Sequence, residues 1–202
     1  MGVDFLEVVL VAEEGEVGNC MTDNAFNWKK VSEEAYLAKG GFRKLLMRRF
    51  ALPNGDEADF DITNTPRLAL ILAFVDDDHV LVVDQFRPGP EKVMAEVPGG
   101  FIEDGETPEH AAARELLEET GYEAETLEQT GMSSPDGYAT TVKYCFVARG
   151  CKKVTEPSLD EHEFIQNRIV PFKEFVEIVH GGNSTGAVDA LFHYFHYIGK
   201  LQ

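Results

Sequence analysis

Residues 100–122 read GFIEDGETPEHAAARELLEETGY, and the reading of this stretch decides the fold. Thr107 is a favoured N-cap, Pro108 suits the first helical position and Gly121 suits the C-cap. Good helix formers lie between them, so the pattern predicts a helix from Pro108 to Thr120. Glu115, Glu118 and Glu119 are spaced i, i+3, i+4 and fall on one face of it. Ala113, Leu116, Leu117 and Thr120 are expected to point the other way, towards a core. Like charges at this spacing cost about 0.2–0.5 kcal/mol per pair, and the negative end of the helix dipole makes acids there slightly worse. Two readings stand at this point. One is a solvated acidic face, common in an acidic protein. The other is a face that meets a cation, for which hard oxygen ligands suit Mg²⁺ or Mn²⁺ better than zinc.

The surrounding spacing bears on that choice. Gly100, five residues, Glu106, seven residues and then Arg114-Glu115-Leu116-Leu117-Glu118-Glu119-Thr120-Gly121-Tyr122 follow one another without a gap. This run resembles the signature box of the Nudix hydrolases, which cleave nucleoside diphosphates linked to another moiety. Tyr122 is an aromatic where that family more often has an aliphatic residue.

Composition sets the bounds. The chain has 202 residues, enough for one domain with a substantial extension, and 44% hydrophobic residues, enough for a real core. A net charge of −18 argues against general binding to nucleic acid or anionic membranes. Any anionic substrate must therefore be held by metal and local arginines against the global field. Cys20, Cys145 and Cys151 are odd in number and lack metal-ligand spacing, which fits free thiols in a reducing cytoplasm. The apolar run Phe5–Ala12 has no basic region before it and is not expected to be a signal peptide. Leu6 breaks the myristoylation pattern, and no run is long enough to span a bilayer.

Taken in order, Phe5–Ala12 suggests a strand. Asn24–Leu37 has a loosely helical spacing of Phe26, Trp28, Val31, Ala35 and Tyr36. Trp28 is read as core packing rather than base stacking. Lys44–Leu52 and Glu57–Ile62 flank the turn Pro53-Asn54-Gly55-Asp56 and predict a hairpin. Arg67–Val75 and His79–Phe86 flank Asp76-Asp77-Asp78 and predict another. Glu125–Met132 and Thr140–Ala148 are β-like around the loop Ser133–Tyr138. Phe164–Val170 is a further strand, and helices are expected over Phe172–Val179 and Asp189–Ile198. His193 and His196 have no ligand at a matching spacing and read as packing.

The flanking motifs narrow the resemblance. Gln85-Phe86-Arg87 and Glu96-Val97-Pro98-Gly99-Gly100 are similar to the ADP-ribose pyrophosphatase branch of the family, with Val97 and Gly99 replacing the usual Leu and Ala. Pro135 lies thirteen residues past Tyr122, slightly earlier than that branch places its proline. The resemblance implies Glu115 and Glu119 with the Gly99 carbonyl as the main metal ligands. Glu118 would complete the set or bind a second ion, and Glu163 would join it from a loop. It also implies Glu161 as general base. Alternating acids on an extended segment point the same way, so Glu161 and Glu163 are expected on one side, with His162 turned away. The bland reading of that pair is an ordinary acidic loop. Arg87 and Glu96 are the expected substrate-binding residues. Arg87 either clamps a phosphate through its planar fork or pairs structurally with Glu96. Arg114 is expected to pair with Glu106 or an acid of the box.

The fold so implied is α+β, a Nudix α/β/α sandwich with a mixed β-sheet, preceded by a small N-terminal β-rich region. Residues 1–64 are expected as an N-terminal extension and β region serving dimerisation, and residues 65–202 as the hydrolase domain. The expected activity is Mg²⁺-dependent hydrolysis of ADP-ribose to AMP and ribose 5-phosphate, with Mn²⁺ as the other candidate ion. The alternatives are another nucleoside diphosphate derivative such as GDP-mannose, or a non-catalytic nucleotide-sensing module. The expected partners are a small-molecule substrate and a second copy of the chain, without nucleic acid or membrane.

Overall fold

The computed structural model describes residues 29–37, 44–134, 136–160 and 163–199. The expectations for Phe5–Ala12, Trp28, Cys20, Pro135, Glu161 and His162 lie outside the described residues.

An antiparallel sheet opens the described chain: β1 (Lys29–Leu37), β2 (Lys44–Ala51) and β3 (Glu57–Asn64), in that order. The Pro53–Asp56 turn joins β2 and β3 as the sequence predicts, and Arg49 holds Asp59 across the pair through two hydrogen bonds. Residues 29–37 are strand and not helix, which corrects the described part of the reading over Asn24–Leu37; residues 24–28 lie outside the described residues. The cause is non-local. β1 pairs with β2 along its length, from Lys29↔Ala51 to Leu37↔Lys44, and such a ladder outweighs a weak helical spacing.

Among the described residues, the body of the protein holds two further three-stranded sheets. One is ordered β4 (Leu68–Ala73), β9 (Lys143–Arg149), β8 (Thr126–Ser133), with β4 and β9 parallel. The other is ordered β11 (Ile165–Pro171), β5 (His79–Arg87), β6 (Lys92–Glu96) and is antiparallel. A short pair, β7 (Tyr122–Glu123) and β10 (Lys152–Lys153), lies beyond the first helix. β4 and β5 follow one another across the aspartate turn but do not form the hairpin expected of them. Just past the end of β4 the chain makes an isolated bridge, Phe74↔Val80, with the Val75 N–H on His79 O at 3.0 Å. β9 takes one edge of β4, and residues 98–102 take the other through Ala69 N–H to Gly100 O and Ile71 N–H to Pro98 O, each at 2.9 Å. No edge of β4 is left for β5.

Among the described residues, three helices cover these sheets. α1 (Pro108–Thr120) packs Ala111, Ala112 and Leu116 against Ala69, Ile71, Leu81 and Phe146. α2 (Phe172–His180) and α3 (Ala187–Tyr197) pack Phe175, Val179, Leu191 and Tyr194 against Leu70, Leu72, Val80 and Val147 on the opposite face. Alternate residues of β4 thus feed two cores, the mark of a sheet buried on both sides. The result is the expected α/β/α sandwich. Cys145 and Cys151 are free and buried in it.

Candidate active site

The limits of α1 follow its sequence signals. The Thr107 hydroxyl accepts the His110 N–H at 3.2 Å, and Gly121 closes the helix at φ 77° with its N–H on Leu117 O. Its faces differ from the sequence reading at two positions. Leu117 is only half-buried and stands outside the core. Ala113 is exposed, and Ala111 and Ala112 take its place in the core. The buried arc is therefore rotated towards Glu119, whose residue is only 8% exposed.

Glu119 is met by the loop after β6. β4 takes the Pro98 and Gly100 carbonyls, so by alternation the N–H and C=O of Gly99 face the other edge. There the Gly99 N–H donates to Glu119 Oε2 at 2.7 Å. Glycine is needed at 99 for a different contact, the packing of this loop on β4: a Cβ on Gly99 would lie 2.2 Å from Ala69 O. At Gly100 the neighbour is a side chain instead, since a Cβ there would lie 2.3 Å from the Glu115 carboxylate. Gly99 thus lets the loop lie against β4, and Gly100 lets the Glu115 carboxylate lie against the loop.

Burial pushes the Glu119 carboxyl up to about 8; the Gly99 N–H opposes this, while the nearby Glu115 and Glu163 charges add to it and Arg87 opposes it. Burial also raises Glu115, against the pull of Arg114 and with further repulsion from Glu118 and Glu163. Glu115, Glu119 and Glu163 therefore feel one another electrostatically. Glu163 lies on the stretch leading into β11, where its Oε2 accepts the Asp160 N–H at 3.1 Å. Glu118 is more exposed. Glu161 lies outside the described residues.

Two arginines frame these acids. Arg114 donates Nε and Nη2 to Glu106 at 3.0 and 3.1 Å, Nη1 to Glu115 and Glu118 at 2.9 and 2.8 Å, and Nη2 to Phe101 O at 2.9 Å. It ties the loop before α1 to the helix. Arg114, ahead of the Glu103 N–H and His110, holds the Glu106 carboxyl down at about 2. Arg87 donates Nε to Glu96 Oε1 at 2.8 Å and Nη2 to Glu96 Oε2. Glu96 is buried, and its hydrogen bonds raise the Arg87 pKa. The pairing of Arg87 with Glu96 is thus present, and Arg87 also lies within electrostatic reach of Glu119.

Two further contacts escaped the sequence reading. Asn167 Nδ2 donates to Glu119 O at 2.8 Å and fixes the last turn of α1 to β11. Extending the Glu161–Glu163 alternation along the strand reaches Asn167, so a signal was there. Thr185 donates its hydroxyl to Glu96 Oε1 from the loop between α2 and α3. No local pattern marks it.

A family model described as NUDIX domain matches residues 65–188. The chain belongs to the Nudix family. An ADP-ribose pyrophosphatase of Bacillus subtilis is 34% identical over 157 residues, covering 74% of this chain and 85% of that relative. A methanol dehydrogenase activator of Bacillus methanolicus is 34% identical over 139 residues, covering 68% of this chain and 75% of that relative. A crystal structure of an ADP compounds hydrolase superposes with a TM-score of 0.72 at 21% identity, over 86% of this chain and 95% of the other, and shares the fold. This Nudix chain is a pyrophosphohydrolase, and its reaction is hydrolysis of a nucleoside diphosphate derivative.

Nudix hydrolases generally use divalent metal ions. The residues here fit such an ion. The donors around Glu119 are oxygens, they carry repelling negative charges, and one of them is buried without a full counter-charge. Among the described residues no three acidic, His or Cys side chains already stand at ligating distance, and Arg114 bridges two of the acids. Among the same residues no helix is long and apolar enough to cross a membrane.

Proposed function

We propose that this Nudix hydrolase cleaves ADP-ribose to AMP and ribose 5-phosphate with Mg²⁺. The observation that carries the reading is the burial of the Glu119 carboxylate against Gly99, beside Glu115, Glu163 and Arg87. The similarity to the Bacillus subtilis ADP-ribose pyrophosphatase supports the choice of substrate.

Glu115, Glu119 and the Gly99 carbonyl would hold the ion, with Glu118 and Glu163 completing its surroundings. When bound, Mg²⁺ neutralises phosphoryl oxygens and lowers the pKa of a bound water. The protein's own groups do the rest. Arg87, held flat by Glu96, presents its guanidinium to a diphosphate oxygen and orients it. Glu161 is the general base and accepts the proton of the attacking water. Arg114 keeps Glu106, Glu115 and Glu118 in register and does not touch substrate. Residues 1–64 act as the extension through which two copies associate, residues 65–202 act as the catalytic domain, and the enzyme works in the cytoplasm.

The test is a substrate panel with Mg²⁺: ADP-ribose, GDP-mannose, other nucleoside diphosphate sugars, dinucleotides and nucleoside triphosphates, with products resolved by chromatography. ADP-ribose as the fastest substrate, giving AMP and ribose 5-phosphate, is the expected result. A faster GDP-mannose or another sugar would keep the chemistry and overturn the substrate. Light scattering on the eluted protein checks the dimer, and a monomer would remove it.

A further inference from the structure

We infer that Thr185 is a positioning residue for substrate binding, acting through Glu96 on Arg87. The inference rests on the reading of Arg87 as the diphosphate clamp.

Arg87 and Glu96 lie on adjacent antiparallel strands, with Arg87 opposite Lys92 and Glu96 opposite Val83. They face the same side and meet diagonally. Glu96 is 5% exposed, so its lone pairs depend on protein partners. Arg87 supplies two donors, Nε to Oε1 and Nη2 to Oε2. The Thr185 hydroxyl supplies another to Oε1. Two donors on Oε1 fix the plane of the carboxylate, and that plane fixes the fork of Arg87. Nη1 has no partner among the described residues and remains for an anion.

The position of the hydroxyl is itself set by the backbone. The loop that carries Thr185 lies along β6, the edge strand of its sheet. Ala95 N–H donates to Asn183 O at 2.9 Å, and Lys92 Nζ donates to Asn183 Oδ1 at 3.0 Å. The loop is therefore clamped to the strand that bears Glu96, two residues before Thr185. The hydroxyl does not touch substrate in this arrangement. It sets the angle at which Arg87 is offered.

Removing the hydroxyl leaves Oε1 with one donor and lets the Glu96–Arg87 unit rotate. Substrate affinity falls while the carboxylates of α1 keep their places. The experiment is steady-state kinetics on the fastest nucleoside diphosphate sugar of the panel, with Thr185→Val, Thr185→Ser, Arg87→Ala and the double variant. Thr185→Val should raise KM about three- to tenfold with kcat within about twofold. Thr185→Ser should restore KM, and Thr185→Val should add nothing further in the Arg87→Ala background. Thermal melts of each variant check that it stays folded at the assay temperature, so that a raised KM with kcat kept reads positioning and not a loss of folded enzyme. Should Arg87→Ala prove too unstable to assay, Arg87→Lys removes the fork and keeps the charge. A raised KM for the Arg87 variant with a parental KM for Thr185→Val would overturn the role of Thr185 alone. A parental KM for the Arg87 variant would overturn the clamp, and this inference with it. A fall in kcat with unchanged KM for Thr185→Val would also sink it.

Discussion

Glu119 Oε2 accepts the Gly99 N–H at 2.7 Å, joining the last turn of α1 to the loop after β6. That bond holds a carboxylate where burial disfavours its charge. The folded-state carboxyl is raised from its ordinary 4.5 to about 8. A raised acid binds its proton more tightly when folded. Its stabilising contribution is full below about pH 4.5 and is lost as pH rises through about 8.

The metal-free protein, kept in a chelator, should therefore lose stability between about pH 5 and 8 relative to Glu119→Gln, which is uncharged throughout. Thermal melts of both proteins across that range measure the difference. Parallel curves would count against the buried charge. Adding Mg²⁺ near pH 8 should raise the melting temperature of the parent far more than that of Glu119→Gln. The same variant should lower kcat by about a hundredfold or more while remaining folded. Near-normal turnover would remove Glu119 from the site.

Arg114 makes the opposite kind of site, one that stabilises charge. It lowers the Glu106 carboxyl to about 2, with the Glu106 side chain 8% exposed. A depressed acid contributes stability above its unfolded value near 4.5, and loses it as pH falls through about 2. Arg114→Ala leaves Glu106 with only the Glu103 N–H and His110 as partners and should cost about 1–3 kcal/mol at neutral pH. The loss relative to the parent should shrink in acid. Urea melts at pH 7 and pH 3 read this, and an equal loss at both values would refute the coupling.

These contrasts show what the sequence could and could not reveal. Thr107, Pro108 and Gly121 act on their own neighbours, so the limits of α1 were legible. The box placed Glu115, Glu118 and Glu119 on one face, but only the rotation of α1 onto β4 and the approach of Gly99 decide that Glu119 is the buried one. The separation of β4 from β5 was illegible because β4 spends its edges on residues 98–102 and on β9, both distant in sequence. Thr185 and Glu96 are 89 residues apart, and nothing near either one announces the other.

Glu161 and Glu163 have separable roles. Glu161→Gln should lower kcat by about 10²–10⁴-fold and leave the Mg²⁺ requirement unchanged, as removal of a general base does. Glu163→Gln should instead raise the Mg²⁺ concentration needed for half-maximal rate. Rates measured across a Mg²⁺ titration distinguish them. A Glu161 variant with full turnover at saturating Mg²⁺ would show that another group takes the proton.

Two glycines of the box carry different burdens, and alanine should tell them apart. At Gly100 the added Cβ meets the carboxylate end of Glu115, a side chain that can swing aside. Gly100→Ala should melt close to the parent, yet lose turnover and demand more Mg²⁺, because Glu115 has been displaced. At Gly121 the Cβ meets Thr155 O at 2.1 Å, and the backbone sits at φ 77°. Neither obstacle can move cheaply, so Gly121→Ala should cost more than about 1 kcal/mol of stability. Its residual folded fraction should keep the parental Mg²⁺ dependence. Melting temperature and Mg²⁺ titration on the two variants check both arms. A Gly100→Ala enzyme with parental kinetics would mean that Glu115 does not need the place it occupies against Gly100.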